Sequence, residues 1–286
     1  MRSLSVIIVN FNAGGALAHT LRSLDIGLAE FDWHAVVVDN ASTDGSDRAA
    51  ESAGPRVRLI RQDRNVGFAR GMNAGLAATA APLALLLNPD CSLRPGAVAV
   101  LERTLDLHRD TGVAGPRILN PDGSIQESAR GDPNLLTGLF GRTTLLSRAV
   151  PNLGVVRRNL AARRAVDEGV ESAIVDWISG ACMLARREAL AAVGGFDERY
   201  FLYWEDADLC RRLRGAGWTA RYVPAAAVVH RVGGSSHTVP HLAIRAFHES
   251  AYRYYVTHVV PQPWHPGRFV AWAILSTRSA FKQWLA

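Results

Sequence analysis

An α/β fold, with a mostly parallel central sheet and helices on both faces, is what this 286-residue sequence predicts. Three observations carry that expectation. The first 117 residues alternate short aliphatic and β-branched runs with stretches that place apolar residues at helical spacing. Most of the strand-like runs are continuous apolar stretches, as strands covered on both faces are. At 48% hydrophobic residues, a chain of this length can also bury a large core and fits one soluble enzyme-sized domain with appendages. Ligands of such sheets bind beyond the strand C-termini, so function is sought there.

Leu4 to Asn10 is the first strand; it follows Met1-Arg2-Ser3 without the small-residue cleavage site of a signal peptide. Gly14 to Leu24 reads as a helix, Ala35 to Val38 as a second strand ending at Asp39, and Val57 to Ile60 as a third. Ala69 to Ala78 is a helix, Leu83 to Leu87 a fourth strand, Pro95 to His108 a helix opened by its proline, and Val113 to Gly115 a fifth strand. Asn120-Pro121-Asp122-Gly123 is a turn between two short strands. From Gln126 the pattern weakens, and residues 126–172 are expected to form a mobile, basic, membrane-facing excursion from a domain spanning 1–238. Order returns at Ala173 to Trp177, followed by a strand at Ala181 to Ala185 and a helix at Arg187 to Val193 closed by Gly194-Gly195. A helix to about Gly215, strands near Ala220 to Val223 and Ala226 to Val229, and a helical membrane-associating tail over 239–286 complete the chain.

Cys91, Cys182 and Cys210 are odd in number and far apart, which argues against a disulfide framework or thiolate zinc site and for a reducing compartment. The net charge of +6 is unevenly placed. Pro133 to Val166 holds six arginines and no acid, and beyond residue 239 Arg245, Arg253, Arg268, Arg278 and Lys282 face Glu249 alone. In both stretches the bases alternate with apolar residues such as Leu135, Phe140, Phe269, Trp272 and Trp284, as in segments lying on an anionic bilayer. A solvated helix face is the plain alternative. No nucleic-acid-binding motif accompanies the stripe, so no nucleic-acid partner is expected. The late apolar run Phe269 to Thr277 is far short of the roughly 20 residues a spanning helix needs. The expected location is peripheral, at the cytoplasmic face of the cell membrane.

Trp204-Glu205-Asp206-Ala207-Asp208-Leu209 crowds three carboxylates beside apolar neighbours. Acids suit a helix N-terminus, where Glu205 and Asp208 can pair with Arg211 and Arg212. A carboxylate buried among like charges instead gains pKa and serves as a base. Asp39 stands at a strand end in Val38-Asp39-Asn40-Ala41-Ser42-Thr43-Asp44-Gly45. It can accept a hydrogen bond from a pyrimidine imide or a ribose hydroxyl, while Asp44 or Thr43 caps a helix near Ser46. In Asn65 to Asn73, Gly67 and Gly71 permit close backbone approach, either to a phosphate or between packed elements. Asp90 ends a buried strand and is the hard oxygen ligand that suits Mg2+ or Mn2+ bridging phosphates; His230, ending another strand before Gly233-Gly234-Ser235-Ser236, can complete such a site as neutral imidazole.

Read in order, Val6-Ile7-Ile8-Val9-Asn10-Phe11-Asn12, Val38 to Gly45, Asn65-Val66-Gly67-Phe68-Ala69, Leu87-Asn88-Pro89-Asp90, Gly194-Gly195-Phe196-Asp197-Glu198 and Tyr203 to Cys210 resemble the signature blocks of inverting glycosyltransferases of family two. The likeness spans residues 4 to 236 and is nearest to bacterial rhamnosyltransferases of cell-wall polysaccharide assembly. It implies a GT-A fold that binds a nucleotide-sugar. By the same resemblance Asp39 contacts the base, and Asp90 is the last acid of a DxD element whose first acid is here Asn88, a change that removes one anionic metal ligand. His230 completes the metal site, and Asp206 is the catalytic base with Glu205 beside it. Asn10, Asn12, Asn65, Gly67, Arg70, Asn73, Trp177, Gly180 and Trp204 are the further residues expected around the nucleotide-sugar, the two tryptophans as faces for a sugar ring. The implied activity is Mg2+- or Mn2+-dependent transfer of rhamnose from dTDP-rhamnose to a polyprenyl-diphosphate-linked saccharide. A UDP- or GDP-sugar donor, a sugar nucleotidyltransferase and a non-catalytic nucleotide-sugar binder are the alternatives. The sequence carries no signal for an oligomeric state.

Overall fold

The structure, a computed structural model, describes residues 2–132, 165–166, 168–231 and 239–286. The arginine-rich stretch from Pro133 to Arg164 and Gly233 to Ser236 lie outside the described residues.

β1 (Arg2–Asn10), β2 (Phe31–Asp39), β3 (Val57–Arg61) and β4 (Leu83–Leu87) form a parallel block in the order β3-β2-β1-β4. Side chains along β1 alternate between two cores. Leu4, Val6 and Ile8 pack with Leu17, Leu21 and Leu24 of α1 (Ala16–Gly27) in one core; Ile7 and Val9 join Ala69 and Met72 in the other. A short α2 (Arg48–Glu51) precedes β3, and α3 (Phe68–Ala77) lies directly on β1. A Cβ at Gly75 would stand 2.4 Å from Ile7 Cγ2, and one at Gly71 2.8 Å from Val9 Cγ2. Leu101 and Leu105 of α4 (Ala97–Leu107) seal the first core.

Past β4 the sheet becomes mixed. β10 (Cys182–Arg186) runs antiparallel to both β4 and β6 (Thr111–Leu119). β11 (Thr219–His230) is parallel to β6 and antiparallel to β5 (Cys91–Leu93) and β8 (Ala173–Val175). The expected parallel order therefore holds strictly for the first half. Direction is not written in a short buried run such as Cys182 to Arg186, and antiparallel neighbours require no helical crossover. The two strands expected after Gly215 are one, β11, whose register against β6 shifts between Val223 and Ala227, where Pro224 cannot donate to the ladder.

β7 (Ala129–Arg130) and β9 (Trp177–Ile178) make a separate two-stranded ribbon. α5 (Arg187–Ala192) and α6 (Glu205–Gly215) pack on the second core. α7 (Pro240–Tyr254) continues into a π-helical turn, Tyr255–Val259, and lies along α8 (Pro266–Leu285). That last helix exposes Phe269, Val270, Trp272, Phe281 and Trp284. Among the described residues no helix is long and apolar enough to cross a membrane.

Candidate active site

Asn10 and Asp39 are opposite one another where β1 and β2 end, and both are buried. Asp39 Oδ1 accepts from Asn10 Nδ2 at 2.7 Å and from Ser42 Oγ at 2.6 Å, while Oδ2 accepts from Ser42 N at 2.9 Å. Asn10 Nδ2 also reaches Ser46 Oγ at 2.9 Å. Asn12, at a φ of 48°, accepts from Thr43 N, and Ala41 has a φ of 60°. Asp44 does not cap α2, which starts at Arg48 without a side-chain cap; it accepts instead from Gly14 N and Ser46 N. Burial works against its charge, yet those hydrogen bonds prevail and hold its carboxyl below the usual range. The two loops are thereby sewn into one fixed cradle at the carboxyl edge of the sheet. Ser42 and Ser46, the stitches, were legible only as turn formers.

The glycines of Asn65 to Asn73 serve packing. Gly67 has a φ of 88°, and a Cβ there would lie 2.4 Å from Phe201 O. Asn65 Oδ1 accepts from Gly67 N, and Phe68 N donates to Phe201 O at 2.7 Å. Asn73 binds both O and N of Phe196 through its amide, and Arg70 pairs with Glu198. Arg70, Asn73 and Glu198 line an open cavity of about 570 Å3 with Gln62. The structure thus sets Arg70 and Asn73 against the Phe196–Glu198 segment, apart from the Asp39 cradle's own bonds.

Tyr203 and Trp204 enter α6 with φ of 66° and 68°, the left-handed region that costs a non-glycine residue about 1–3 kcal/mol. The Trp204 ring rests on Phe247 and Tyr254, with centroids 5.8 and 5.4 Å away. Glu205 is buried and its Oε2 has no hydrogen-bond partner. Burial, and after it the charge of Asp206, lifts its carboxyl well above the usual glutamate range, so it is held neutral. Asp206 is partly exposed, and its Oδ2 accepts from Gly180 N at 2.9 Å. Asp208 is buried and pairs with Arg212 Nε at 2.7 Å, as its spacing predicts, and also with His258 Nε2 at 2.7 Å. Arg211 turns instead to Asp132, which Arg214 shares. Trp177 donates to Gly131 O, with the Arg130 guanidinium 5.8 Å from its ring centre, so that face is already covered.

Ser179 to Ala181 joins the acid helix to the end of β4. Gly180 N holds Asp206, while Ala181 O accepts from Asn88 N at 2.9 Å and from Cys91 Sγ at 3.2 Å. Asp206 and the Asn88-Pro89-Asp90 turn are therefore bonded to adjacent residues. His230 sits opposite Cys91 in the β11–β5 register, which brings its Nε2 to 3.2 Å from Asp90 Oδ1. That oxygen is buried and makes no hydrogen bond. A carboxylate oxygen left unbonded beside an imidazole nitrogen is a donor set that fits Mg2+ or Mn2+. Cys91 is close to both, with its thiol raised far above its usual range by burial and then by the charge of Asp90, and a soft sulfur is a poor partner for the hard cations Mg2+ and Mn2+. Asp132, Gln126 and His258 also brace this region and were missed in the sequence. His258 is fifty positions from Asp208, so no local spacing pairs them.

Residues 5–193 match the family described as Glycosyl transferase family 2, and residues 159–285 match Glycosyl transferase family group 2. An N-acetylglucosaminyl-diphospho-decaprenol L-rhamnosyltransferase from Mycobacterium tuberculosis is 35% identical over 262 residues, 87% of this chain and 82% of that protein. A mannosyltransferase from Pyrobaculum calidifontis, solved with GDP-Man and Mn2+, superposes with a TM-score of 0.58 at 18% identity over 98% of this chain and 71% of its own. The TarS 1–349 structure from S. aureus with UDP-GlcNAc gives 0.56 at 16% identity over 96% and 70%. The chain, with its GT-A fold, belongs to glycosyl transferase family 2 and is a glycosyltransferase.

Proposed function

We propose that the enzyme inverts configuration while moving rhamnose from dTDP-rhamnose to a polyprenyl-diphosphate-linked saccharide at the cytoplasmic membrane face. The bonding of Asp206 to the Asp90 turn through Gly180-Ala181 is the observation that carries this, because direct displacement needs a base and a held leaving group on opposite sides of one carbon. The rhamnosyl specificity and the lipid-linked acceptor are suggested by the tuberculosis relative. Asp206 takes the proton of the acceptor hydroxyl as its oxygen bonds to the anomeric carbon and the sugar–phosphate bond breaks. Glu205, whose carboxyl burial raises well above its usual range, is the poorer proton acceptor of the two, which leaves the base role to the partly exposed Asp206. Asn10, Asn12 and Asp39 shape the seat of the base; Asn65, Gly67, Asn88, Gly180 and Trp204 frame the space between that seat and Asp206. Asp90 and His230 would hold Mg2+ or Mn2+, which supplies neutralisation of the charge growing on the diphosphate. Residues 1–238 form the catalytic domain, and the exposed aromatics and bases of α8 lie on the anionic bilayer that carries the acceptor.

Asp206→Asn should lower kcat by about 10²–10⁴-fold with dTDP binding kept; wild-type turnover in that variant removes Asp206 as base. Nuclear magnetic resonance of the product should give an inverted anomeric centre, and retention would overturn the displacement. In a thermal-shift panel with and without Mn2+, dTDP should stabilise most; a larger shift with UDP or GDP assigns a different donor.

A further inference from the structure

The turn after β6 has no part in the chemistry above, yet its side chains form one directed chain of hydrogen bonds ending on His230. Asp122, a carboxylate, can only accept. Ser124 Oγ donates its single proton to Asp122 Oδ1 at 2.6 Å, so it must accept from Asn120, whose Nδ2 lies 2.8 Å away. Asn120 then presents Oδ1 to Gln126, and Gln126 Nε2 donates to it at 2.8 Å. The same Nε2 donates to the backbone oxygen of His230 at 2.8 Å, a second and independent pin on the amide. Gln126 has only Oε1 left to face His230 Nδ1, at 3.0 Å. Nδ1 must therefore carry the imidazole proton, and Nε2 points a lone pair at Asp90 Oδ1, 3.2 Å away and without a hydrogen bond. Two facing acceptors repel unless a proton or a metal cation lies between them, and it is the Nδ1–H form that leaves this place open to the metal. The other tautomer would donate from Nε2 to Asp90 and close the site.

We infer that Gln126, aligned by the Asn120–Ser124 turn, is a positioning residue that fixes His230 as the Nδ1–H tautomer and keeps Nε2 open, together with Asp90, for a divalent cation. This rests on the cation role proposed for Asp90 and His230.

Two- and three-bond 1H–15N correlation spectra of metal-free, 15N-histidine-labelled protein report the tautomer, with His230 signals assigned by their loss in His230→Ala. Wild type should show Nδ1–H. Gln126→Leu should move His230 to Nε2–H and weaken Mn2+ binding, read by electron paramagnetic resonance, by about 10–100-fold, with its thermal midpoint and metal-free dTDP binding retained. Asp122→Asn, on the exposed turn, should give mixed tautomers and a smaller loss. An Nε2–H signal in wild type, or an unchanged tautomer in Gln126→Leu, overturns the inference whatever the metal affinity. Mn2+ affinity unchanged in Asp90→Ala overturns the cation role itself, on a different signal.

Discussion

Replacing Glu205 by glutamine separates the two adjacent carboxyls. Burial, then the charge of Asp206, raises the Glu205 carboxyl well above its usual 4.5. The folded chain therefore keeps a proton that the unfolded chain releases as pH passes that value. Folding binds the proton, so stability is lost as pH rises between 4.5 and the folded pKa, and the slope vanishes below 4.5, where both states are protonated. Within that window the loss is about 1.4 kcal/mol per pH unit. Glutamine has the shape of the protonated form and does not titrate. Wild type and Glu205→Gln should melt together near the lower end and separate above it, the variant ahead by about 2–3 °C per pH unit for a chain of this size. Transfer should stay within about tenfold of wild type, since a neutral carboxyl is not the base. Scanning fluorimetry from about pH 4.5 to 7.5 beside steady-state transfer reads both. Parallel melting curves would refute the buried neutral acid, and a loss of turnover as deep as in Asp206→Asn would refute the division of roles.

Asp208→Ala strips the acceptor from Arg212 and His258 at once and should cost about 3 kcal/mol in urea unfolding, while Asp208→Asn, which keeps one acceptor oxygen, should cost about half that; a loss below about 1 kcal/mol in the alanine variant argues against the network. Gly67→Ala meets Phe201 O at 2.4 Å with a φ of 88° and should cost at least about 3 kcal/mol; a variant of normal stability would show that the Asn65–Phe68 turn packs otherwise. Cosedimentation with anionic vesicles should be strong at low salt, fall as salt rises, and weaken in Trp272→Ala, and no binding at low salt counts against α8 as the membrane-facing element.

The parallel half of the sheet was plain in the sequence because β1, β2 and β4 each carry an aliphatic run, Val6 to Val9, Ala35 to Val38 and Leu83 to Leu87. Asp39, Asp90 and His230 stood out for a related reason, since a polar residue at the end of a buried strand has few places to be but the sheet's edge. Strand directions and long-range partners were not legible. Nothing in Cys182 to Arg186 marks it as antiparallel, and only three-dimensional proximity reveals that Asp39 spends its oxygens on Asn10 and Ser42. Glu205 and Asp206 look alike in one dimension, yet neighbours on a helix point about 100° apart, which sends one inward and leaves the other facing Gly180. Trp177, offered as a sugar platform, has Arg130 over its ring because β7 and β9 pair across a sequence gap of more than forty residues.

Tyr203 and Trp204 stay in the left-handed region because something outside α6 keeps them there. Phe247 and Tyr254 brace the Trp204 ring, Ser250 Oγ donates to Leu202 O at 3.0 Å, and His258 clasps Asp208 one turn further on. A chain cut after residue 238 would keep every described strand and the whole Asp39 cradle, the seat proposed for the nucleotide. It would lose the clamp. The two residues would relax toward ordinary dihedrals, rotating the first turn of α6 and carrying Asp206 off Gly180. Such a shortened protein would be a receptor for the donor with no means of using it, and its nucleotide affinity would give no warning.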